Sequence, residues 1–169
     1  MALVCFSHGK DSAPKATKIS ALSEVARSAG HHSLSVDYRG IDDPQTRVDK
    51  LEKTLQSPDY RSAELVLVGS SMGAYVSLFA STHFKPVGLY LMAPAVFMPG
   101  YEQVPKAPEA CLTQIVHGWS DEIVPVENAI RFGQENNAET LLLDDDHRLS
   151  HSLPVLESHF AAFLARLSI

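Results

Sequence analysis

Ser71 is the central residue of the pentapeptide Gly69-Ser70-Ser71-Met72-Gly73, which has a glycine at each end. An apolar run over residues 65–68 precedes it, and a helix-like stretch over residues 74–80 follows it. A G-x-S-x-G sequence between a strand and a helix is typical of a nucleophile elbow, a sharp turn that exposes the serine oxygen. The pattern therefore predicts that Ser71 attacks a carbonyl carbon in an acyl-transfer reaction.

A serine hydroxyl is a weak nucleophile at neutral pH, so it needs a base and a third group that orients the base. His147 and Asp121 are the predicted partners, because each follows an apolar strand-like segment further along the chain. His147 would act as general base and then as general acid, while Asp121 would hold the imidazole in the required tautomer. Two alternatives stay open: His151 in place of His147, and Glu122 in place of Asp121.

The negative oxygen that develops during attack needs N–H donors. The backbone N–H of Met72 is one predicted donor, because it lies at the start of the elbow helix, where the helix dipole favours an anion. The backbone N–H of Lys10, in the loop 7–10 after the first strand, is the other. His8 in the same loop is expected to be structural.

The elements that must position these residues alternate between strand-like and helix-like segments. This alternation predicts one doubly wound α/β domain over residues 1–169, with helices on both faces of a six-stranded, mostly parallel sheet. Ligands of such sheets bind outside the carboxyl ends of the strands, where all three candidate residues would meet. The predicted strands are Leu3–Phe6, Ser33–Val36, Leu65–Val68, Val87–Leu91, Leu112–Val116 and Thr140–Leu143. Four helices are expected to begin at Ala13-Pro14, Asp43-Pro44, Met72 and Pro125. A fifth helix is expected to carry the apolar residues from Leu153 to Leu167.

Composition limits the classes of partner. The 169 residues carry a formal net charge of −6 and no basic stripe interleaved with aromatic residues, which disfavours nucleic acid as a partner. No signal peptide or membrane segment is predicted, and two buried-type cysteines without a disulfide pattern favour the cytoplasm. No metal-ligand spacing links a histidine to an acid or a cysteine, so no metal is expected.

The stretch from Ala93 to Ala110 contains four prolines and is expected to be irregular. Aromatic and apolar residues in the loops at the predicted active edge are candidates for lining the acyl pocket, although packing alone would also explain them. These candidates are Trp119, Phe97, Met98 and Tyr101.

Taken together, the motifs resemble those of a compact, lidless, esterase-like member of the α/β-hydrolase superfamily. The matching pieces span nearly the whole chain in order: Ser7-His8-Gly9, Asp37-Tyr38-Arg39-Gly40, the elbow 69–73, the segment from His117 to Pro125, and the turn from Asp144 to His147. The resemblance implies the strand order 2-1-3-4-5-6. It also implies a serine hydrolase that acts on a small-molecule carboxylic ester or thioester, without a metal or cofactor.

Departures from the family pattern also carry predictions. The stretch 93–110 is too short and too rich in proline to form a helical lid, which implies a shallow, open site. Lys10 occupies a position that is often apolar or small in relatives, and its charge could favour an anionic group on the substrate. One alternative is a catalytically silent binding or regulatory protein of the same fold. Another is a nucleotide-binding domain, but the sequence lacks the glycine-rich motifs of that class. No oligomeric state is predicted.

Overall fold

The computed structural model describes residues 1–61, 63–167 and 169. Strands and helices alternate along these residues, as the hydrophobic pattern predicts, except that an irregular stretch joins the fourth and fifth strands. In chain order the elements are β1 Leu3–Ser7, α1 Thr17–Ser28, β2 His32–Val36, α2 Pro44–Leu55, β3 Leu65–Ser70, α3 Met72–Phe84, β4 Gly88–Met92, β5 Leu112–Gly118, α4 Val126–Asn136, β6 Glu139–Leu143 and α5 Leu153–Ala165.

The strands form one sheet in the order β2-β1-β3-β4-β5-β6, and every neighbouring pair is parallel. The predicted strand order and the parallel sheet are both confirmed. Ser7 at the end of β1 pairs with Gly69 near the end of β3, so the loop after β1 begins beside the elbow. The carboxyl ends of all six strands therefore lie along one edge.

Alternate residues of the buried strands face opposite sides of the sheet, as the two-residue period of a strand requires. Leu67 and Leu89 pack with α2, α3 and α4, whereas Phe6 and Tyr90 pack with α1 and α5. Because both faces are covered, the central strands read as continuous apolar runs. The doubly wound arrangement with helices on both faces is confirmed.

The two N-terminal helices differ in how well the sequence locates their first residue. Helix α2 begins at Pro44 as predicted, because the Asp43 carboxylate accepts the Thr46 N–H at 2.7 Å and proline suits the first helical position. The prediction that α1 begins at Ala13-Pro14 is wrong, since that helix starts at Thr17. The Ala16 N–H instead donates to the Ala13 carbonyl oxygen at 3.1 Å, which closes a separate turn around Pro14.

The stretch 93–110 contains no helix or strand, in agreement with its proline content. It is nevertheless held at several points: the Asn128 side chain donates to the Val96 carbonyl oxygen at 2.8 Å, and the Asn136 side chain accepts the Ala107 N–H at 2.8 Å. The lid of larger relatives thus has no helical counterpart in this stretch. Within the described residues, no helix combines the length and the apolar character needed to cross a membrane.

Candidate active site

Ser71 lies at the apex of the turn between β3 and α3, with φ 56° and ψ −119°. A positive φ of this kind costs a residue other than glycine about 1–3 kcal/mol and persists only where the surroundings enforce it. Here the Ser71 N–H donates to the Met92 carbonyl oxygen at 2.9 Å, and the Ser71 carbonyl oxygen accepts the Ala95 N–H at 3.2 Å. The strained turn is therefore fixed from the side of β4.

The two glycines of the elbow allow β1, β3 and α3 to approach one another closely. A side-chain carbon on Gly69 would collide with the backbone of Gly73 and Ala74, and one on Gly73 would collide with the carbonyl groups of Ser7 and His8. Neither position has space for a larger residue. The pentapeptide thus forms the steric elbow that its sequence predicts.

The structure brings Ser71, His147 and Asp121 together. His147 Nε2 lies 2.9 Å from Ser71 Oγ, and His147 Nδ1 lies 2.7 Å from Asp121 Oδ2. Since a carboxylate only accepts, Nδ1 carries the proton, which leaves Nε2 free to accept the serine hydroxyl proton. The His147 side chain is 16% exposed and that of Asp121 is fully buried.

The Asp121 carboxylate has four donors around it. Its Oδ1 accepts the N–H groups of Ile123 and Val124 at 2.8 Å each, and its Oδ2 faces His147 and, at 3.1 Å, His117 Nε2. Burial alone would raise the pKa of Asp121, but hydrogen bonds from His117, His147 and the two N–H groups hold it well below its usual range. The carboxylate is therefore ionised at neutral pH.

His117 is a part of the site to which the sequence motifs assign no role. It lies in β5, and its buried ring reaches the candidate acid. Its Nε2 lies 2.9 Å from the Val124 carbonyl oxygen as well, so Nε2 carries the proton, while Nδ1 has no partner among the described residues. The only feature of the sequence that points to this contact is the four-residue spacing between His117 and Asp121.

The turn that carries His147 is shaped by Asp145. Acidic side chains are mostly exposed to solvent, but the Asp145 side chain is fully buried. Its Oδ1 accepts the Asp146 N–H and its Oδ2 accepts the Ser152 N–H, both at 2.8 Å. Gly118 at the end of β5 lets this turn approach, since a side-chain carbon there would collide with the carbonyl oxygens of Asp145 and Asp146.

The two alternatives for the acid and base lie elsewhere. His151 is highly exposed and its Nδ1 lies 3.3 Å from Asp145 Oδ1, so it contacts the turn and not Ser71. Glu122 is exposed, whereas Asp121 is buried against His147. The geometry favours His147 and Asp121.

The two predicted oxyanion donors belong to the start of α3 and to the loop after β1. Met72 is the first residue of α3, so its N–H has no acceptor within the helix. Gly9 lies against the elbow, because a side-chain carbon on it would lie 3.5 Å from Ser71 Cβ. The N–H of the next residue, Lys10, has no hydrogen-bond acceptor among the described residues. Both donors are thus available to a ligand.

His8, which was expected to be structural, shapes the loop through its side chain as well as its backbone. The buried ring accepts the Tyr38 N–H on Nε2 at 2.9 Å, so Nδ1 carries the proton and donates to the Gly9 carbonyl oxygen at 2.8 Å. Burial lowers the pKa of His8, which favours this neutral form. The ring therefore links the loop after β1 to the loop after β2.

The four residues predicted to line an acyl pocket differ in their surroundings. Trp119 is 56% exposed, whereas Phe97 and Tyr101 pack against the core. The Arg131 guanidinium lies 3.8 Å from the centre of the Phe97 ring, and Tyr101 meets Tyr75 edge to face. Met98 is half-buried, and its carbonyl oxygen accepts the Tyr101 N–H at 2.8 Å. Their role in binding a substrate stays a prediction.

No group of three histidine, cysteine, aspartate or glutamate side chains in the described part of the chain is arranged to hold a metal ion. Both cysteines, Cys5 and Cys111, are free and buried, and burial raises the pKa of their thiols to about 12 and about 11. Neither thiol lies in a setting that would make it a nucleophile. Ser71 therefore remains the candidate nucleophile.

Residues 3–104 match the model of a family described as Uncharacterised protein family (UPF0227). No curated protein matches the sequence. Among solved structures, a protein from Xanthomonas campestris pv. campestris that is assigned to the α/β-hydrolase superfamily is 30% identical to this chain, with a TM-score of 0.91. The match covers 99% of this chain and 100% of the other.

Two more distant structures share the fold. A second protein from Xanthomonas campestris, described as an α/β serine hydrolase without a lid, is 19% identical over 99% of this chain and 83% of its own, with a TM-score of 0.78. Est1E from Butyrivibrio proteoclasticus is 18% identical over 97% of this chain and 87% of its own, with a TM-score of 0.79. These likenesses confirm the lidless fold that the sequence motifs indicate.

Proposed function

The chain belongs to the family UPF0227 and to the α/β-hydrolase superfamily, and from that premise we propose that it is a serine hydrolase that cleaves a small carboxylic ester or thioester through an acyl-enzyme on Ser71. One observation carries the proposal. A single imidazole, that of His147, bridges the Ser71 hydroxyl and a buried carboxylate at hydrogen-bond distance on both sides.

Acylation follows from this geometry. Ser71 Oγ attacks the carbonyl carbon of the ester while His147 Nε2 takes the hydroxyl proton, and the carbonyl π electrons move onto oxygen. The N–H groups of Met72 and Lys10 stabilise that oxyanion. When the bond to the leaving group breaks, His147 returns the proton to the departing alcohol or thiol, and the acyl group stays on Ser71.

Deacylation repeats these steps with water as the nucleophile. His147 takes a proton from water, the resulting hydroxide attacks the acyl carbon, and Ser71 Oγ leaves with the proton from the imidazole. Throughout both halves the Asp121 carboxylate stabilises the imidazolium and keeps Nδ1 protonated. No step needs a group beyond these residues and water.

Active-site labelling tests the proposal. A fluorophosphonate probe should phosphonylate wild-type Ser71, expelling fluoride, and the Ser71→Ala variant should not react. The neighbouring Ser70 provides a matched control, because it is buried at the end of β3 and the hydroxyl that His147 binds is that of Ser71. The Ser70→Ala variant should still be labelled. Folded wild-type protein that fails to react would favour the alternative of a catalytically silent binding protein.

Turnover across a panel of substrates would define the reaction further. The rate of product release should be measured for esters of increasing acyl length and for acyl-CoA thioesters. Only the part of that rate that is absent in Ser71→Ala counts as turnover by the site. Phe97, Met98 and Tyr101 each keep part of their surface exposed, and we propose that they contact the acyl group. An acyl-length preference that is unchanged in Met98→Ala would contradict this role for Met98.

A further inference from the structure

Arg47 is a cation that lies wholly inside the protein. It belongs to α2, its side chain is fully buried, and no carboxylate pairs with it among the described residues. Burying a charge is costly unless hydrogen bonds compensate for it. Burial accordingly lowers the pKa of Arg47. An apolar side chain would fill the same space at lower cost, so what Arg47 contributes must come from its donors.

The donors of Arg47 converge on the loop after β1. Its Nη1 donates to the carbonyl oxygens of His8 and Gly9, each at 3.1 Å, and its Nη2 donates to that of Lys10 at 3.2 Å. The remaining donor, Nε, binds the Ile41 carbonyl oxygen at 2.7 Å. Only the planar fork of an arginine can hold several carbonyl groups at fixed angles in this way. Three successive peptide groups are thus turned toward one side chain.

The direction of these carbonyl groups fixes the direction of the N–H groups. Every described peptide bond is trans, and in a planar trans peptide the C=O and N–H point in opposite directions. Because the Gly9 carbonyl points at Arg47, the Lys10 N–H of the same peptide group points away from it. Within residues 1–61, 63–167 and 169, that N–H has no acceptor, and the loop lies against Ser71 through Gly9.

The peptide group between Gly9 and Lys10 is held especially firmly. Its carbonyl oxygen accepts from Arg47 Nη1 at 3.1 Å and from His8 Nδ1 at 2.8 Å, which occupies both lone pairs. Glycine tolerates many backbone angles, so without these donors the peptide could rotate. A rotated peptide would present a carbonyl oxygen to the substrate oxygen, which would replace an attraction by a repulsion.

We propose that Arg47 is a positioning residue for the hydrolytic reaction: it holds the Gly9–Lys10 peptide so that the Lys10 N–H is directed at the developing oxyanion. This inference rests on the proposed function, because it needs Ser71 to form a tetrahedral intermediate. Arg47 touches neither the substrate nor the triad. It acts through the loop, and its loss should therefore affect the transition state more than substrate binding.

The Arg47→Met variant tests this role, because it keeps the length of the side chain and removes every donor. Loss of one oxyanion donor lowers kcat by about 10²–10³-fold in other hydrolases, so we expect a fall of about 10²-fold in kcat with KM changed less than about twofold. Affinity for a trifluoromethyl ketone, which forms a tetrahedral oxyanion on the serine, should fall by the same factor. If Arg47 only stabilised the fold, kcat and the affinity for the ketone would not fall by the same factor.

The control is Leu51→Ala, a core substitution on the same helix that touches none of the loop carbonyls. It should lower the unfolding temperature while the folded molecules keep wild-type kcat and ketone affinity. The proposal is overturned if Arg47→Met, measured where both variants are folded, keeps kcat within about threefold of Leu51→Ala.

A second variant decides the matter if Arg47→Met does not fold. Arg47→Lys keeps the charge but cannot span three carbonyl groups, so we expect a fall in kcat of about tenfold with KM unchanged. Wild-type kcat in folded Arg47→Lys would overturn the proposal in that case. Failure of the proposed function itself is distinct, because wild-type protein would then not react with the fluorophosphonate probe or the ketone at all.

Discussion

Single residues of the site are held mainly by hydrogen bonds to backbone groups. The Asp121 carboxylate receives two N–H groups of its own loop, and the Gly9 carbonyl is fixed by two side chains. Such contacts set the direction of a reactive atom more closely than apolar packing does, because hydrogen bonds weaken steeply when they are misaligned. The chemistry of this site therefore depends on residues that never meet the substrate.

His117 provides a test at this scale. Replacing it by phenylalanine removes one of the two donors that face Asp121 Oδ2 and leaves the buried Val124 carbonyl oxygen without its partner, which should lower the free energy of unfolding by about 1–3 kcal/mol. We expect kcat to fall as well, because Asp121 then holds His147 less firmly. His117→Gln restores an N–H near the Nε2 position and should recover most of kcat. Equal losses of kcat in both variants would argue against a role through Asp121.

Lys10 provides a second test, this time of substrate charge. Its side chain is exposed beside the loop that faces Ser71, so Lys10→Ala should raise KM for acidic esters and leave KM for neutral esters of the same size unchanged. The backbone N–H at this position is retained in the variant, so kcat should change little. Equal effects on acidic and neutral esters would contradict the predicted preference for anionic substrates.

At the scale of elements, the site is built by loops that approach one another at positions without side chains. Gly73 lets α3 touch the end of β1, and Gly118 lets the end of β5 touch the turn that carries His147. Close approach of this kind explains how three segments distant in sequence meet at hydrogen-bond distance. The approach also makes these positions intolerant of even one added carbon.

Gly73→Ala should therefore be costly. The added carbon meets backbone, which cannot move aside as a side chain can, and we expect a loss of about 2–3 kcal/mol in the free energy of unfolding together with loss of labelling at Ser71. Gly30→Ala is the matched control: φ there is +85°, but nothing lies within 4 Å, so only backbone strain is added, about 1 kcal/mol. Urea unfolding measures both. A smaller loss in Gly73→Ala than in Gly30→Ala would contradict the steric explanation.

Much of this arrangement could be predicted from the sequence, because it depends on local patterns. The apolar runs gave the strands, the resemblance to the α/β-hydrolase superfamily gave their order, and the pentapeptide at 69–73 gave the elbow. The start of α1 was missed because a turn around Pro14 competes with the helix. Arg47 and the contact of His117 with Asp121 were not foreseen, because their partners are backbone carbonyls or a carboxylate whose positions emerge only when the chain has folded.

For the molecule as a whole, the end of the last helix is joined to the edge of the sheet through charged groups at the surface. Arg166, which follows α5, donates to both oxygens of Glu139 on the edge strand β6, at 2.6 and 2.7 Å, and Gln114 donates to Glu139 from β5. Hydrogen bonds from Arg166 and Gln114 lower the pKa of Glu139 to about 2. The pair is exposed to solvent, which screens it and limits its contribution to stability.

The lowered pKa of Glu139 determines how its contribution to the free energy of unfolding changes with pH. The folded protein favours ionised Glu139, so this stabilisation is complete above the ordinary glutamate pKa and is lost as pH falls from about 5 to about 2. Glu139→Gln should lower the free energy of unfolding by at most about 1 kcal/mol at pH 7, and the difference from wild type should shrink across that range. Glu24→Gln, at an exposed pair within α1, is the control. A difference that grows on acidification would contradict the assignment.

The position of α5 at the end of the described fold has a consequence for synthesis on the ribosome. This helix, with α1, covers the face of the sheet that carries Val66, Val68 and Tyr90. A nascent chain that has completed the elbow still lacks half of that cover. The emerging polypeptide should therefore expose apolar surface until α5 has left the ribosome, and chaperone occupancy should be highest over that interval.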